Sequence, residues 1–154
     1  MLRPGMDTRF LHIDCVYLTC FRHEFSVLAS VLCYSSIRLH RAETLEQADF
    51  LLTVTGGTVL LSDVAFLDGT WRDALRVIPQ THPMVSVLVV AEPVDWPALV
   101  DAYALGACGA VWKPLEFSKT ADSIRTVDEA ARERALLARE RPEALARIHS
   151  YQPE

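Results

Sequence analysis

The sequence predicts an α/β fold built on one parallel sheet, and three observations carry that reading. Short apolar runs alternate with longer segments of helical period through five cycles, the pattern of repeated strand–helix units. The 154 residues, 51% of them hydrophobic, suit one compact domain with a sizeable core. Capping and turn residues fall between the runs rather than inside them.

Val16-Tyr17-Leu18-Thr19 is the first expected strand, after an N-terminal arm of residues 1–14. Phe25, Val27, Leu28, Val31 and Leu32 then recur at helical spacing to about Tyr34. Ile37-Arg38-Leu39-His40 alternates like a half-exposed strand. Thr44, with Glu46 and Gln47 close behind, is an N-cap for a helix carrying Leu45, Ala48, Leu51 and Leu52, and Gly56-Gly57 ends it. Thr58-Val59-Leu60-Leu61-Ser62 reads as a fully buried strand.

Asp68-Gly69 turns the chain into a third helix with Ala74, Leu75 and Ile78, closed by His82-Pro83. Val85 to Val90 is the most hydrophobic run and the best central strand. Asp95 is expected to cap a fourth helix, with Pro97 in its first turn and Leu99, Val100, Tyr103 and Ala104 as its inner face, before Gly106 stops it. Ala110-Val111-Trp112 is the fifth strand. A long helix follows from about Ser118 to Glu140, with an Ala121, Ile124, Val127, Ala131 stripe and an Asp128–Arg132 pair. Pro142 interrupts it, so residues 131–154 read as a helical extension and tail around the domain of residues 15–130.

Fifteen Lys+Arg against twenty Asp+Glu give a net charge of −5, with no basic stripe to track a phosphate backbone, so nucleic acid is not an expected partner. No apolar run reaches membrane-spanning length and no signal peptide is evident. Cys15, Cys20, Cys33 and Cys108 form no C-x-x-C pair and show no zinc spacing, which points to reduced, mostly buried thiols in a cytoplasmic protein. Trp96 and Trp112 are expected as packing residues, and Phe66 and Leu67 as exposed ones.

In a doubly wound sheet, ligands bind at the carboxyl ends of the strands. Those positions hold Cys20-Phe21, Asp63, Ala91-Glu92 and Lys113-Pro114, so a carboxylate and an ammonium can meet across one crevice. Cys20, at a strand end before a helix and three residues from His23, is a weak candidate thiol nucleophile or sensor; the C-x5-R pattern of an anion nest is absent. G-x-S-x-G, G-x-G-x-x-G and G-x-x-x-x-G-K-[ST] are absent too, against serine hydrolase, Rossmann and P-loop chemistry.

Val59-Leu60-Leu61-Ser62-Asp63-Val64 with Leu67-Asp68-Gly69, and Leu105-Gly106-Ala107-Cys108-Gly109 with Trp112-Lys113-Pro114-Leu115, resemble the phosphoacceptor strand and the "AGA…KP" segment of response-regulator receiver domains. The resemblance covers about residues 15 to 130. It implies a flavodoxin-like sheet of order 2-1-3-4-5 with five helices, the last extended. It also implies that Asp63 accepts a phosphoryl group from a histidine kinase or phosphotransfer protein while Lys113 contacts the phosphoryl oxygens. Such a domain is at most a phosphoacceptor with weak autophosphatase activity, not an enzyme in its own right.

This sequence departs from that pattern. The acidic pair that holds Mg²⁺ in the family is matched by Cys20 and Phe21, leaving Asp63 and the Ala65 carbonyl as the expected metal partners, so Mg²⁺ binding is expected to be weak or absent. The switch hydroxyl is replaced by Ala91 or Val90 and the switch aromatic by Ala110. Glu92 or Asp63 is expected to hold Lys113 in a permanent ion pair. No output domain fits after residue 130, so the output is expected to pass through a downstream protein partner, with homodimerisation through the last helices a further expectation. The reading is an atypical single-domain response regulator; the alternative is a pseudo-receiver that acts as a phosphorylation-independent interaction module.

Overall fold

The structure, a computed structural model, describes residues 12–140. Five strands form one parallel sheet: β1 (Ile13–Leu18), β2 (Ile37–Ala42), β3 (Val59–Asp63), β6 (Ser86–Ala91) and β7 (Gly109–Trp112), in the order β2-β1-β3-β6-β7. Between β3 and β6 the chain makes a small antiparallel hairpin, β4 (Ala65–Phe66) and β5 (Gly69–Thr70). Counting only the strands of the large sheet, the order is the expected 2-1-3-4-5. The helices are α1 (Arg22–Leu32), α2 (Leu45–Thr55), α3 (Trp71–Thr81), α4 (Trp96–Ala104) and α5 (Phe117–Glu140).

Alternation along the buried strands feeds two cores. Val16, Leu18, Leu60, Val87 and Val89 face α2, α3 and α4, meeting Leu52, Ala74, Ile78 and Leu99. Cys15, Tyr17, Leu61, Leu88, Val90 and Val111 face α1 and α5, meeting Leu28, Leu32, Ala121 and Ile124. The Cys15 thiol is fully buried there, and burial pushes its pKa well above the ordinary thiol range.

The α2 caps form as the residues dictate. Thr44 accepts a hydrogen bond from the Gln47 N–H at its start, and Gly56 closes its end in the left-handed region at φ 68°. At the start of α3, Thr70 and Asp73 form a capping box.

Several expectations are corrected. β1 begins at Ile13, inside the expected arm, because Ile13, Asp14 and Cys15 already pair with Ile37, Arg38 and Leu39 of β2. Asp68-Gly69 does not lead straight into a helix but turns the β4–β5 hairpin, burying Phe66 while Leu67 stays exposed. In α4, Leu99 and Ala102 are buried, whereas Val100 and Tyr103 are exposed and Ala104 with them. A nine-residue helix buries only the narrow i, i+3 stripe, and the next residue along lies 100° around. Asp95 does not cap α4: its carboxylate takes the Glu92 N–H at the head of a 3₁₀ turn, Pro93–Asp95. Three of the four thiols, Cys20, Cys33 and Cys108, are exposed, not buried. Trp96 and Trp112 do pack, as expected, but on each other at the surface, ring centres 6.0 Å apart. Pro142 and the tail after it lie outside the described residues. Among the described residues, no helix is long and apolar enough to cross a membrane.

Candidate functional site

Asp63 is the last residue of β3, on the same side of the strand as Val59 and Leu61, so the α1/α5 layer packs over it. Only 2% of the residue is exposed. The neighbouring strand sets its partners: Leu18 stands beside Ser62, which brings Thr19 level with Asp63 and puts Tyr17 one pleat behind on the same face. The Tyr17 hydroxyl donates to Asp63 Oδ1 at 2.7 Å, and the Thr19 hydroxyl donates to Oδ2. Both carboxylate oxygens are therefore engaged by neutral donors, one from β1 and one from the residue that follows it. Thr19 Oγ1 in turn accepts the Phe21 N–H at 3.0 Å, locking the hydroxyl between the carboxylate and the turn into α1.

Lys113 follows β7 and reaches the same face. Its Nζ lies 3.7 Å from Asp63 Oδ1 and 3.2 Å from Glu24 Oε2, and it sits 4.6 Å from the centre of the Phe21 ring. The ammonium is thus divided between two carboxylates and covered by an aromatic face. Burial raises the Asp63 pKa, an effect that outweighs the hydrogen bonds from Thr19 and Tyr17 and the Lys113 charge, all of which lower it; the Glu24 charge raises it further. Burial and the adjacent Asp63 charge likewise push the Tyr17 hydroxyl far above the ordinary tyrosine range, so it stays a donor.

Asp63 and Lys113 are brought together as the sequence expects, and a crevice of about 240 Å³ opens over them, bordered by Phe21, Ala65, Ala91 and Glu92. Two other expectations are corrected. Of the two carboxylates expected to hold Lys113, Asp63 does so, whereas Glu92, at the start of the 3₁₀ turn, makes no ion pair with it among the described residues; Glu24 on the first turn of α1 is the second partner. Nor is Cys20 a neighbour of Asp63. The strand pleat turns Cys20 out to solvent, without a hydrogen bond among the described residues, and points Thr19 inward instead. Tyr17, Thr19 and Glu24 are thus the site residues that sequence reasoning missed. The signal was present in the shared parity of Tyr17 and Thr19 along a strand beside Asp63.

This donor set does not suit Mg²⁺, which takes an octahedron of oxygens supplied largely by carboxylates and water. Of the carboxylates bordering the crevice, Asp63 already accepts two hydroxyls and has Lys113 against it, and Asp95 is engaged by the Glu92 N–H. Among the described residues, no group of three or more His, Cys, Asp or Glu side chains is arranged to hold a metal ion.

No family model matches this sequence, and no curated protein does. Solved structures do match it. The signal receiver domain of an HD domain-containing protein from Pseudomonas fluorescens Pf-5 superposes with a TM-score of 0.73 at 18% identity, over 87% of this chain and 98% of that one. A signal receiver domain from Vibrio parahaemolyticus gives 0.73 at 15% identity, over 82% and 97%. The N-terminal signal receiver domain of a two-component response regulator from Bacteroides fragilis gives 0.69 at 14% identity, over 75% and 96%. The chain has the flavodoxin-like fold of CheY-like receiver domains.

Proposed function

We propose that this protein is a receiver-fold signalling module that works through protein contacts, with its Asp63 pocket held in one state by its own side chains rather than by phosphorylation. The observation that carries the reading is the occupancy of Asp63: two hydroxyls engage its oxygens, and Lys113 is shared with Glu24. A carboxylate attacking phosphorus needs an oxygen lone pair free and cationic help for the incoming dianion. Here each oxygen already accepts a hydroxyl, the cation is shared with Glu24, and the buried carboxylate gives up part of that bonding to react. On this reading the protein is not an enzyme and acts without bound Mg²⁺.

A second reading, a phosphoacceptor served by a histidine kinase or phosphotransfer protein, is favoured by one observation: Asp63 ends β3 with the Lys113 ammonium 3.7 Å away and a crevice above both. Intact-protein mass after incubation with a small acyl phosphate and Mg²⁺ separates the two. The expected result is no added phosphoryl mass on folded wild-type protein. One added phosphoryl group that disappears in Asp63→Asn would overturn the first reading and establish the second.

A further inference from the structure

The Asp63 crevice uses the carboxyl end of the sheet. A second polar cavity, of about 460 Å³, opens at the opposite, amino end, where the start of β1, the edge strand β2, the last turn of α2 and the second half of α5 meet. Its lining includes His12, Asp14, Arg38, His40, Val54 and Arg132. The volume falls in the range of small-ligand sites. The register of β1 against β2 sets Asp14 beside Arg38, and His40, two residues on, returns to the same face of the sheet.

The carboxylates of this region are already held. Asp14 Oδ1 lies 2.9 Å from His40 Nε2, and its Oδ2 lies 3.5 Å from His12 Nε2. Asp128, buried under Arg132, accepts from the Thr58 hydroxyl and, at 2.9 Å, from Arg132 Nε. The two guanidinium groups are less committed. Among the described residues Arg38 makes no ion pair and no side-chain hydrogen bond, and the terminal nitrogens of Arg132 donate to nothing. The last turn of α2 also ends here, and the negative end of a helix suits a cation. Its carbonyls, however, are met from within the helix: the Gly56 N–H donates to Leu52 O and the Thr55 hydroxyl to Leu51 O, while Arg38 donates to neither. Two guanidinium forks are therefore left to face a ligand, with the exposed Val54 side chain as an apolar wall beside them.

We propose that this cavity binds a small organic phosphate, an ester whose doubly charged head is gripped by Arg38 and Arg132 and whose apolar body lies on Val54. A guanidinium pairs two of its N–H groups with two phosphate oxygens, and two such forks match a dianion better than the single charge of a carboxylate. The inference does not rest on the proposed function, since Asp63 lies at the other end of the sheet.

The probe is phenyl phosphate, titrated into the full chain in a buffer free of phosphate and sulfate, with inorganic phosphate and benzoate as comparisons. Calorimetry and amide chemical shifts read the binding. Phenyl phosphate is expected to bind saturably and to move the amide resonances of residues 38–40 and 54–56. It is expected to bind at least about threefold more tightly than inorganic phosphate, which lacks the ring, and than benzoate, which lacks the second charge. Arg38 is exposed, so Arg38→Gln is expected to remain folded and to bind phenyl phosphate at least about tenfold more weakly. Val54→Ser is expected to lose the advantage of phenyl phosphate over inorganic phosphate and to leave inorganic phosphate binding unchanged. Lys113→Gln, which removes the ammonium of the other crevice, is expected to bind as wild type does. Absence of saturable binding, undiminished binding by Arg38→Gln, or binding lost in Lys113→Gln would overturn the proposal. Benzoate binding as tightly as phenyl phosphate would overturn the phosphate head, and inorganic phosphate binding as tightly would overturn the apolar body. Phosphorylation of Asp63 by an acyl phosphate would overturn the proposed function and leave this site untouched.

Discussion

Tyr17 spends its hydroxyl on Asp63 Oδ1 from a position with no exposed surface, and a hydrogen bond to a charged acceptor in such surroundings is worth about 1.5–3 kcal/mol. Tyr17→Phe keeps the ring in the α1/α5 core and removes that bond alone. It is expected to lower stability by that amount in urea denaturation at pH 7, and by progressively less toward acid pH as Asp63 takes up a proton. A loss below about 0.5 kcal/mol at pH 7 would mean that the contact is not made in solution.

The sign of the Asp63 effect follows from its raised pKa. The folded protein holds the Asp63 proton to higher pH than the unfolded chain, whose carboxyl titrates near its ordinary value of 3.8. The stability contributed by this proton is complete below that value and is lost as pH rises through the folded pKa. Asp63→Asn, whose amide still accepts from one hydroxyl and donates to the other, does not titrate. The stability of Asp63→Asn minus that of wild type is therefore expected to grow with pH from about 4 and then to level off. A difference that is flat across urea denaturation series from pH 4 to 8 would contradict burial as the dominant cause. At this scale the sequence made Asp63 and Lys113 legible, because strand ends in a parallel sheet are where charge gathers. It hid Tyr17 and Thr19, because a tyrosine and a threonine in an apolar run read as core until the register of β1 against β3 is known.

Elements are held by local chemistry that is only partly local in sequence. Thr44 and Gly56 were legible as the ends of α2, since each acts on its own helix. The Asp68 carboxylate, which accepts the Leu45 N–H at the same helix start from the hairpin 23 residues on, was not. Two-residue strands such as β4 and β5 are too short to show any period. Gly56 and Gly57 show the same contrast. Gly56 has open space around it but a φ of 68°, so Gly56→Ala is expected to cost about 1 kcal/mol of left-handed strain, and Gly56→Asn to recover part of it. Gly57 has ordinary backbone, but a Cβ there would lie 2.9 Å from Asp14 O on β1. Gly57→Ala is therefore expected to cost about 1–3 kcal/mol, with no recovery in Gly57→Asn. Urea denaturation of the four variants checks this, and recovery by asparagine at position 57 would show that conformation rather than contact sets the cost.

Over the whole molecule, the sheet separates two layers that differ in what they hold. The α2, α3 and α4 side is an apolar core, whereas the α1 and α5 side also carries Tyr17, Asp63 and the reach of Lys113 to Glu24. The layering was legible because the three buried central strands, β1, β3 and β6, impose period-two alternation on both faces at once. What each layer does was not, because that depends on which few polar side chains the alternation turns toward which helices. Ile78 lies at the centre of one layer and Ile124 at the centre of the other, both fully buried, with the sheet between them. Removing one methyl from either, as Ile78→Val or Ile124→Val, is expected to cost about 0.5–1.5 kcal/mol. If the sheet insulates the layers, the double variant is expected to lose the sum within about 0.5 kcal/mol in urea denaturation, with an unchanged m-value. A coupling above about 1 kcal/mol would mean that the strands transmit packing from one face to the other. An interaction surface around α4 would then be answerable to the Asp63 side of the sheet, and the pocket would belong to a working switch rather than to a fixed state.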